Sequence, residues 1–211
     1  MDWTFGIITG GWQEHFINKI IDSIENQNIE TSKYEIIIVG SCNVNTNNTT
    51  IIPFNERIKP MWTPKKKNII TENSKLENIV YLHDYICFEP NWYSNFINFG
   101  EDWDVCMNSI RTMDNHRFRD WSLWYPPSPI DYNDYTKLKT MYVSGSYFCS
   151  KKQFMLKYPL NEELVWGQGE DLDWSVRIRD FWNYKCNPKS KVKLLKHKDD
   201  PHGFYNCIVE D

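Results

Sequence analysis

Continuous apolar runs alternate along this chain with segments whose apolar residues are spaced three and four apart. Trp3 to Thr9 (WTFGIIT) is a β-branched and aromatic run ending at Gly10-Gly11, the pattern of a buried strand entering a tight turn. From Glu14 to Gln27, Phe16, Ile17, Ile20, Ile21 and Ile24 recur at helical spacing with Lys19, Asp22 and Glu25 on the other face, which predicts an amphipathic helix. Tyr34 to Gly40 (YEIIIVG) is too continuously apolar to leave one face wet and is expected as a second buried strand. Together these make a βαβ unit. Such a unit crosses over right-handed and places both strand C-termini on one edge, where open α/β sheets take their ligands.

The polar, Asn-rich stretch 41–50 (SCNVNTNNTT) predicts an exposed loop. A short strand is expected from Ile51 to Phe54, and Pro64 opens a helix carrying Lys65, Lys66, Lys67 and Asn68. Asn78 to Leu82 (NIVYL) is a third buried strand, ending in His83-Asp84-Tyr85. Further strands are expected at Asp104–Arg111, Met141–Cys149 and Lys191–His197, with short helices at Asn91–Phe99 and Lys151–Tyr158. Between them, Asp114 to Asp134 follows neither period and contains Trp121, Trp124, Tyr125 and a Pro126-Pro127-Ser128-Pro129 stretch. A loop of that length is either a binding loop or an insertion packed on its own aromatics. The alternation predicts an α/β fold with a mixed, mainly parallel sheet flanked by helices, in one domain over residues 1–211.

Composition narrows the function classes. The 211 residues are 41% hydrophobic and 25% charged, enough for a real core, and 16% aromatic, which points to rings on a binding surface as well as in the interior. A formal charge of −4 disfavours a polyanion, so nucleic acid is not an expected partner. No basic segment leads into an apolar run at the start, and no apolar run approaches the ~20 residues of a membrane span. A soluble, cytoplasmic protein is expected. Cys42, Cys87, Cys106, Cys149, Cys186 and Cys207 are scattered without a Cys-x-x-Cys pair, as reduced core thiols would be.

Several positions can carry chemistry. Asp84, at the end of a buried strand, can hold a divalent cation against a diphosphate, or it can simply cap a turn. In Trp166 to Arg177 (WGQGEDLDWSVR), two glycines permit a tight backbone and Glu170, Asp171 and Asp173 crowd a first helical turn. A carboxylate there can act as general base; the alternative is acidic capping of the helix dipole. On that helix Leu172 and Val176, and Phe181 further on, are expected to face the core. His197 and His202 flank a polar stretch after the last strand, where either could complete a metal site begun by Asp84. The Lys65–Lys67 run is either a phosphate contact or a solvated helix face. The chain has neither G-x-G-x-x-G nor G-x-x-x-x-G-K-[ST], which removes the usual supports for dinucleotide binding and P-loop chemistry.

The order of these parts resembles the GT-A fold of nucleotide-sugar glycosyltransferases, particularly family-2-like enzymes. The likeness covers most of the chain: FGIIT, a helix, YEIIIVG, the Lys-Lys-Asn stretch at 66–68 and the strand ending in LHDY. WGQGEDLDWSVR resembles the family's W-G-x-G-E-D-x-D-x-x-x-R element, and Val143-Ser144-Gly145-Ser146 its glycine-containing strand along the donor sugar and acceptor. The resemblance implies that Thr9, Gly10 and Gly11 lie near the nucleoside. It makes Asp171 the base that deprotonates an acceptor hydroxyl, with Glu170 next, and Gly145 part of the donor site. Where the family has a D-x-D motif holding Mn2+ or Mg2+, this chain has one acid, Asp84, with His83 beside it and His197 or His202 as further ligands; Lys67 would assist at the diphosphate. Trp166 and Trp124 would meet the acceptor.

The implied activity is inverting, metal-assisted transfer from a nucleotide sugar, a UDP-sugar first, to a glycan, lipid or protein hydroxyl, with the donor side in residues 1–100 and the catalytic side in 101–211. A non-catalytic carbohydrate- or nucleotide-sugar-binding module on the same scaffold is the alternative, and a nucleotidyltransferase is a third.

Overall fold

The structure is a computed structural model and describes residues 1–11, 13–44 and 46–198. In chain order its elements are β1 (Trp3–Ile8), α1 (Glu14–Glu25), β2 (Tyr34–Val39), β3 (Thr49–Ile52), α2 (Thr63–Asn73), β4 (Asn78–His83), β5 (Ile86–Phe88) and α3 (Trp92–Phe99). There follow β6 (Val105–Arg111), β7 (Ser122–Leu123), β8 (Ser128–Pro129), β9 (Met141–Tyr142), β10 (Tyr147–Lys151), α4 (Lys152–Lys157), α5 (Glu170–Ile178) and β11 (Tyr184–Leu194). The main sheet has the order β3-β2-β1-β4-β10-β6-β11-β5, and a small sheet has the order β8-β7-β9. The βαβ expectation holds: β1 pairs in parallel with β2 on one side and β4 on the other. β10 enters between β4 and β6, antiparallel to both, and β11 runs parallel to β6. The mixed, mainly parallel sheet read from the sequence is present.

Alternation along β1 explains the layers. Trp3 and Phe5 point to one face, where they meet Trp92 of α3 with ring centroids 4.9 and 5.7 Å apart. Thr4 points to the other, its hydroxyl 2.6 Å from that of Ser74 just after α2. Helix α1 buries the stripe its spacing predicts: Ile17, Ile20, Ile21 and Ile24 are all buried. Each such side chain is worth roughly 1.5–3 kcal/mol of burial. The tryptophans go mostly inward, with Trp3, Trp92, Trp121 and Trp174 fully buried, while Trp124 and Trp166 stay about half exposed. No helix of the described residues is long and apolar enough to cross a membrane.

Several boundaries differ from expectation for physical reasons. The strand expected at Ile51–Phe54 begins two residues earlier, because Thr49 and Thr50 pair with Ile36 and Ile37 of β2. Met141–Cys149 is not one strand: it breaks at 143–146, between β9 and β10, where the backbone turns to meet α5. The last strand starts at Tyr184 instead of Lys191 and carries a register shift between Asn187 and Lys191. Pro188 sits in that shift, where its missing N–H costs no ladder bond. On α5, Val176 is half exposed and Phe181 beyond it more so, contrary to expectation, and the buried residues are Glu170, Trp174, Ser175 and Ile178. The strand β5 and the small sheet were not foreseen; two- and three-residue strands leave too little periodicity to read.

Candidate functional site: two adjoining pockets at the sheet edge

Because β10 is antiparallel to its neighbours, its N-terminal end and the C-terminal ends of β1, β4, β6 and β11 lie on one edge of the sheet. The chain leaves β1 toward β2 and β3, then returns to the other side as β4, so the crevice outside β1 and β4 is the topological switch point. Thr9 and Asp84 occupy it. The Thr9 N–H donates to Val39 O at 3.0 Å and the Asp84 N–H to Ile8 O at 3.2 Å. The Thr9 hydroxyl donates to Asp84 Oδ2 at 2.6 Å and accepts from the Gly11 N–H at 3.0 Å. One pocket opens here, lined among others by Thr9, Gly10, Lys66, Asp84, Lys196 and Lys198. Lys66 reaches it from α2, with its Nζ donating to Thr9 O at 2.7 Å and paired with Glu56. The segment after β11 is tied in by the Leu195 N–H, which donates to Tyr85 O at 2.8 Å and brings Lys196 and Lys198 over the Tyr85 ring.

Burial pushes the Asp84 carboxyl up from its ordinary value, opposed by the Thr9 hydrogen bond and by Lys196 and Lys66. Burial also lowers His83 well below the ordinary imidazole value, and the charges of Lys67, Lys198, Lys66 and Lys196 push it the same way. His83 is therefore neutral at pH 7.

A second pocket shares His83 and Trp166 with the first and is lined by Arg119, Trp124, Tyr142, Gly145, Glu170 and Asp171. Gly167 and Gly169 both have positive φ, 85° and 72°, the tight backbone anticipated for the two glycines before α5. Glu170, Asp171 and Asp173 then fill the first turn of α5, where the helix dipole favours negative charge. Asp171 is held from two sides: the Gly145 N–H donates to Oδ2 at 3.0 Å and the Leu172 N–H to Oδ1 at 2.9 Å. Gly145 leaves room for this contact, since a Cβ there would stand 3.0–3.3 Å from the Asp171 side-chain atoms, close enough that the carboxyl would have to shift. Glu170 is buried, which raises its pKa, and it accepts a hydrogen bond from the Thr63 hydroxyl at 3.3 Å. Lys67 lies fully buried beneath the same turn, donating to Gly145 O at 2.6 Å; burial lowers its pKa while Glu170 and Asp171 oppose the shift.

The long 114–134 segment serves this second pocket, and both readings of it contain part of the observed arrangement. Its base is packed: Arg117 is bound bidentately to buried Asp120 at 2.9 and 2.7 Å, Tyr132 donates to the other Asp120 oxygen at 2.7 Å, and Trp121 packs on Tyr184. Its exposed part carries Trp124 to the pocket wall.

Of the residues singled out from sequence, Thr9, Gly10 and Asp84 line the first pocket, Gly145, Trp124, Glu170 and Asp171 the second, and His83 and Trp166 both. Gly11 stands behind Thr9, and Lys67 acts from below the wall. His197 is outside both linings, with a mostly exposed side chain 3.9 Å from Asp114, and His202 lies outside the described residues. The Lys65–Lys67 run is not a solvated face, since Lys66 and Lys67 are both buried. Lys66 belongs to the Lys65–Lys67 run read as a phosphate contact or a solvated face; Lys196, Lys198 and Arg119 were missed. A signal existed for two of them, because Lys196 and Lys198 follow a strand end just as Asp84 does.

Among the described residues, no three His, Cys, Asp or Glu side chains converge as a metal-ion site. Asp84 and neutral His83 offer two donors, Thr9 already occupies Asp84 Oδ2, and three ammonium groups line the same pocket. That donor set does not fit Mn2+ or Mg2+, which require several oxygen ligands.

Neither a family model nor a curated protein matches this sequence. Solved structures match its fold. S. aureus TarS 1-349 in complex with UDP-GlcNAc superposes with a TM-score of 0.69 at 12% identity over 95% of this chain and 60% of that one. GalNAc-T7 with UDP, GalNAc and Mn2+ gives 0.70 at 14% identity over 94% of this chain and 44% of that one. Both are glycosyltransferases of GT-A type. The fold of this chain is therefore the GT-A fold of nucleotide-sugar glycosyltransferases, over a span of 37–60% of the matched chains' lengths.

Proposed function

We propose that this chain transfers a sugar from a UDP-sugar to a hydroxyl acceptor with inversion at the anomeric carbon. The observation that carries this reading is the pairing of a lysine-lined pocket at the switch point with a carboxylate-lined pocket, the two sharing His83 and Trp166. The first takes the nucleoside diphosphate beside Thr9 and Gly10, and the second takes the acceptor, with Trp124 and Trp166 as flat apolar platforms for a sugar ring. TarS with UDP-GlcNAc and GalNAc-T7 with UDP support uridine as the nucleoside.

In the reaction the acceptor oxygen attacks the anomeric carbon as the bond to the β-phosphate oxygen breaks, and UDP leaves with that electron pair. Asp171 takes the hydroxyl proton. Its charge is held by two N–H donors, and each oxygen keeps a lone pair for the incoming proton. Glu170, kept closer to neutral by burial, stands behind it as the second candidate. One displacement inverts the centre, and no separate nucleophile is required. Among the described residues, Asp84 and His83 are the groups beside the donor that would meet a Mn2+ or Mg2+ ion. The acceptor is a hydroxyl of a glycan, lipid or protein. The net charge of −4 speaks against nucleic acid.

The test is UDP release from a panel of UDP- and GDP-sugars with glycan, lipid and peptide acceptors. UDP release lost in Asp171→Asn with UDP binding intact is the expected result; undiminished turnover removes Asp171 as the base. The two backbone bonds to Asp171 favour one other reading, a binding module in which that carboxylate is only a clasp between α5 and the 143–146 turn. Nucleotide-sugar binding with no nucleotide release under any acceptor would establish the module, and pyrophosphate release would reveal a nucleotidyltransferase.

A further inference from the structure

We propose that the diphosphate of the donor is held by the ammonium groups of Lys66, Lys196 and Lys198 in place of a divalent cation; this rests on the donor-site reading above. Among the described residues, the lining of the first pocket brings these three ammonium groups together with two carboxylates, Glu56 and Asp84. Glu56 is paired with Lys66, and Asp84 accepts from the Thr9 hydroxyl at 2.6 Å. Lys66 is buried and fixed by its bond to Thr9 O at 2.7 Å, so its charge is presented without conformational cost. Lys196 and Lys198 stand 4.5 and 4.3 Å from the centroid of one ring, that of Tyr85. A dianionic group bound beside both gains Coulomb attraction from each of them. A divalent cation at Asp84 would instead join like charges. Lysine suits the task because it meets phosphate as a compact point charge.

This arrangement also gives the leaving group its stabilisation. Negative charge accumulates on the β-phosphate as the glycosidic bond breaks, and preorganised ammonium groups gain most at that moment.

The experiment is calorimetric titration of the 211-residue chain with UDP, UMP and uridine, in EDTA and in Mn2+. The expected result is UDP affinity in EDTA within about threefold of that in Mn2+. In the Lys196→Gln/Lys198→Gln double variant UDP should bind roughly 10- to 100-fold more weakly, the scale of losing charge-assisted phosphate contacts, while uridine binding is unchanged. Thermal unfolding of the variant at the parental temperature keeps the comparison valid. UDP binding that requires Mn2+, or that ignores both substitutions, overturns the proposal and leaves the glycosyltransferase reading standing. Failure of UDP, UMP and uridine to bind under either condition overturns both.

Discussion

The two adjoining pockets are lined by one sheet edge and share two residues, yet their charge balance differs: Lys66, Lys196 and Lys198 with Glu56 and Asp84 in one, Glu170 and Asp171 with Arg119 in the other. The pocket outside β1 and β4 collects lysines from α2 and from the segment after β11. Its neighbour collects carboxylates from the first turn of α5, beside exposed rings. The construction differs as well. Thr9 and Asp84 are fixed by hydrogen bonds continuing the parallel ladder, whereas Asp171 depends on a turn, a glycine and a helix end meeting across the 143–146 segment. A leaving diphosphate needs fixed positive charge and a departing proton needs fixed negative charge. Under the proposed reaction, separating the two sets keeps these lysines from pairing directly with Asp171.

The largest expected effect tests the acidic side alone. Asp171→Asn should lower transfer by about 10²–10⁴-fold, the usual worth of a positioned base, with UDP affinity unchanged by calorimetry; a parallel fall in UDP affinity would mean the pockets are not independent. Next, Arg117→Met should cost roughly 3–5 kcal/mol in urea unfolding, because it strands the fully buried Asp120 carboxylate beneath the acceptor-side loop. A loss under 1 kcal/mol would show that Tyr132 and the backbone donors satisfy Asp120 without it.

Gly145→Ala separates geometry from chemistry. The added Cβ would press on the Asp171 carboxyl and shift it slightly; since about 1 Å of misplacement costs on the order of 10²-fold in rate, the smaller shift should cost less than that. The kinetic split to look for is a fall in kcat with UDP binding preserved. Trp124→Ala should raise the acceptor KM by roughly 3- to 10-fold, the worth of one aromatic contact, and leave the donor KM alone; the reverse pattern would move Trp124 to the donor side.

The smallest effect is one of stability. The Glu170 pKa is raised above its ordinary 4.5 by burial, so its contribution is fully present below that value and is lost as pH rises through the folded-state pKa. Glu170→Gln should therefore unfold with the parent near pH 4 and gain on it by pH 7. Identical pH profiles would show that Lys67 compensates the buried charge.

Much of the first pocket was legible along the chain because it is local. The run WTFGIIT ending in two glycines, and NIVYL ending in His83-Asp84, declare strand ends by period and turn chemistry alone, and the ligand-edge rule then nominates Thr9 and Asp84. The glycine-spaced acids before α5 were legible for the same reason, and both glycines do adopt positive φ. Lys66 was obscured by its neighbours: three consecutive lysines on one helix turn point in different directions, and sequence nominated Lys67, which lies beneath the wall. Val176 misled because an apolar residue at helical spacing was assigned to a core that is in fact covered by Trp174 and Ile178.

Taken alone, then, the sequence determined the alternation of strands and helices and several residues near their ends able to carry charge, since each depends on side chains a few positions apart. Only the tertiary structure decided that β10 would enter antiparallel between β4 and β6, and that Lys196 would stand beside Asp84. It also decided that Gly145 would clasp Asp171. The physical reason is that strand order and register are settled by packing between segments distant along the chain, and a local period carries no information about which distant segment will win.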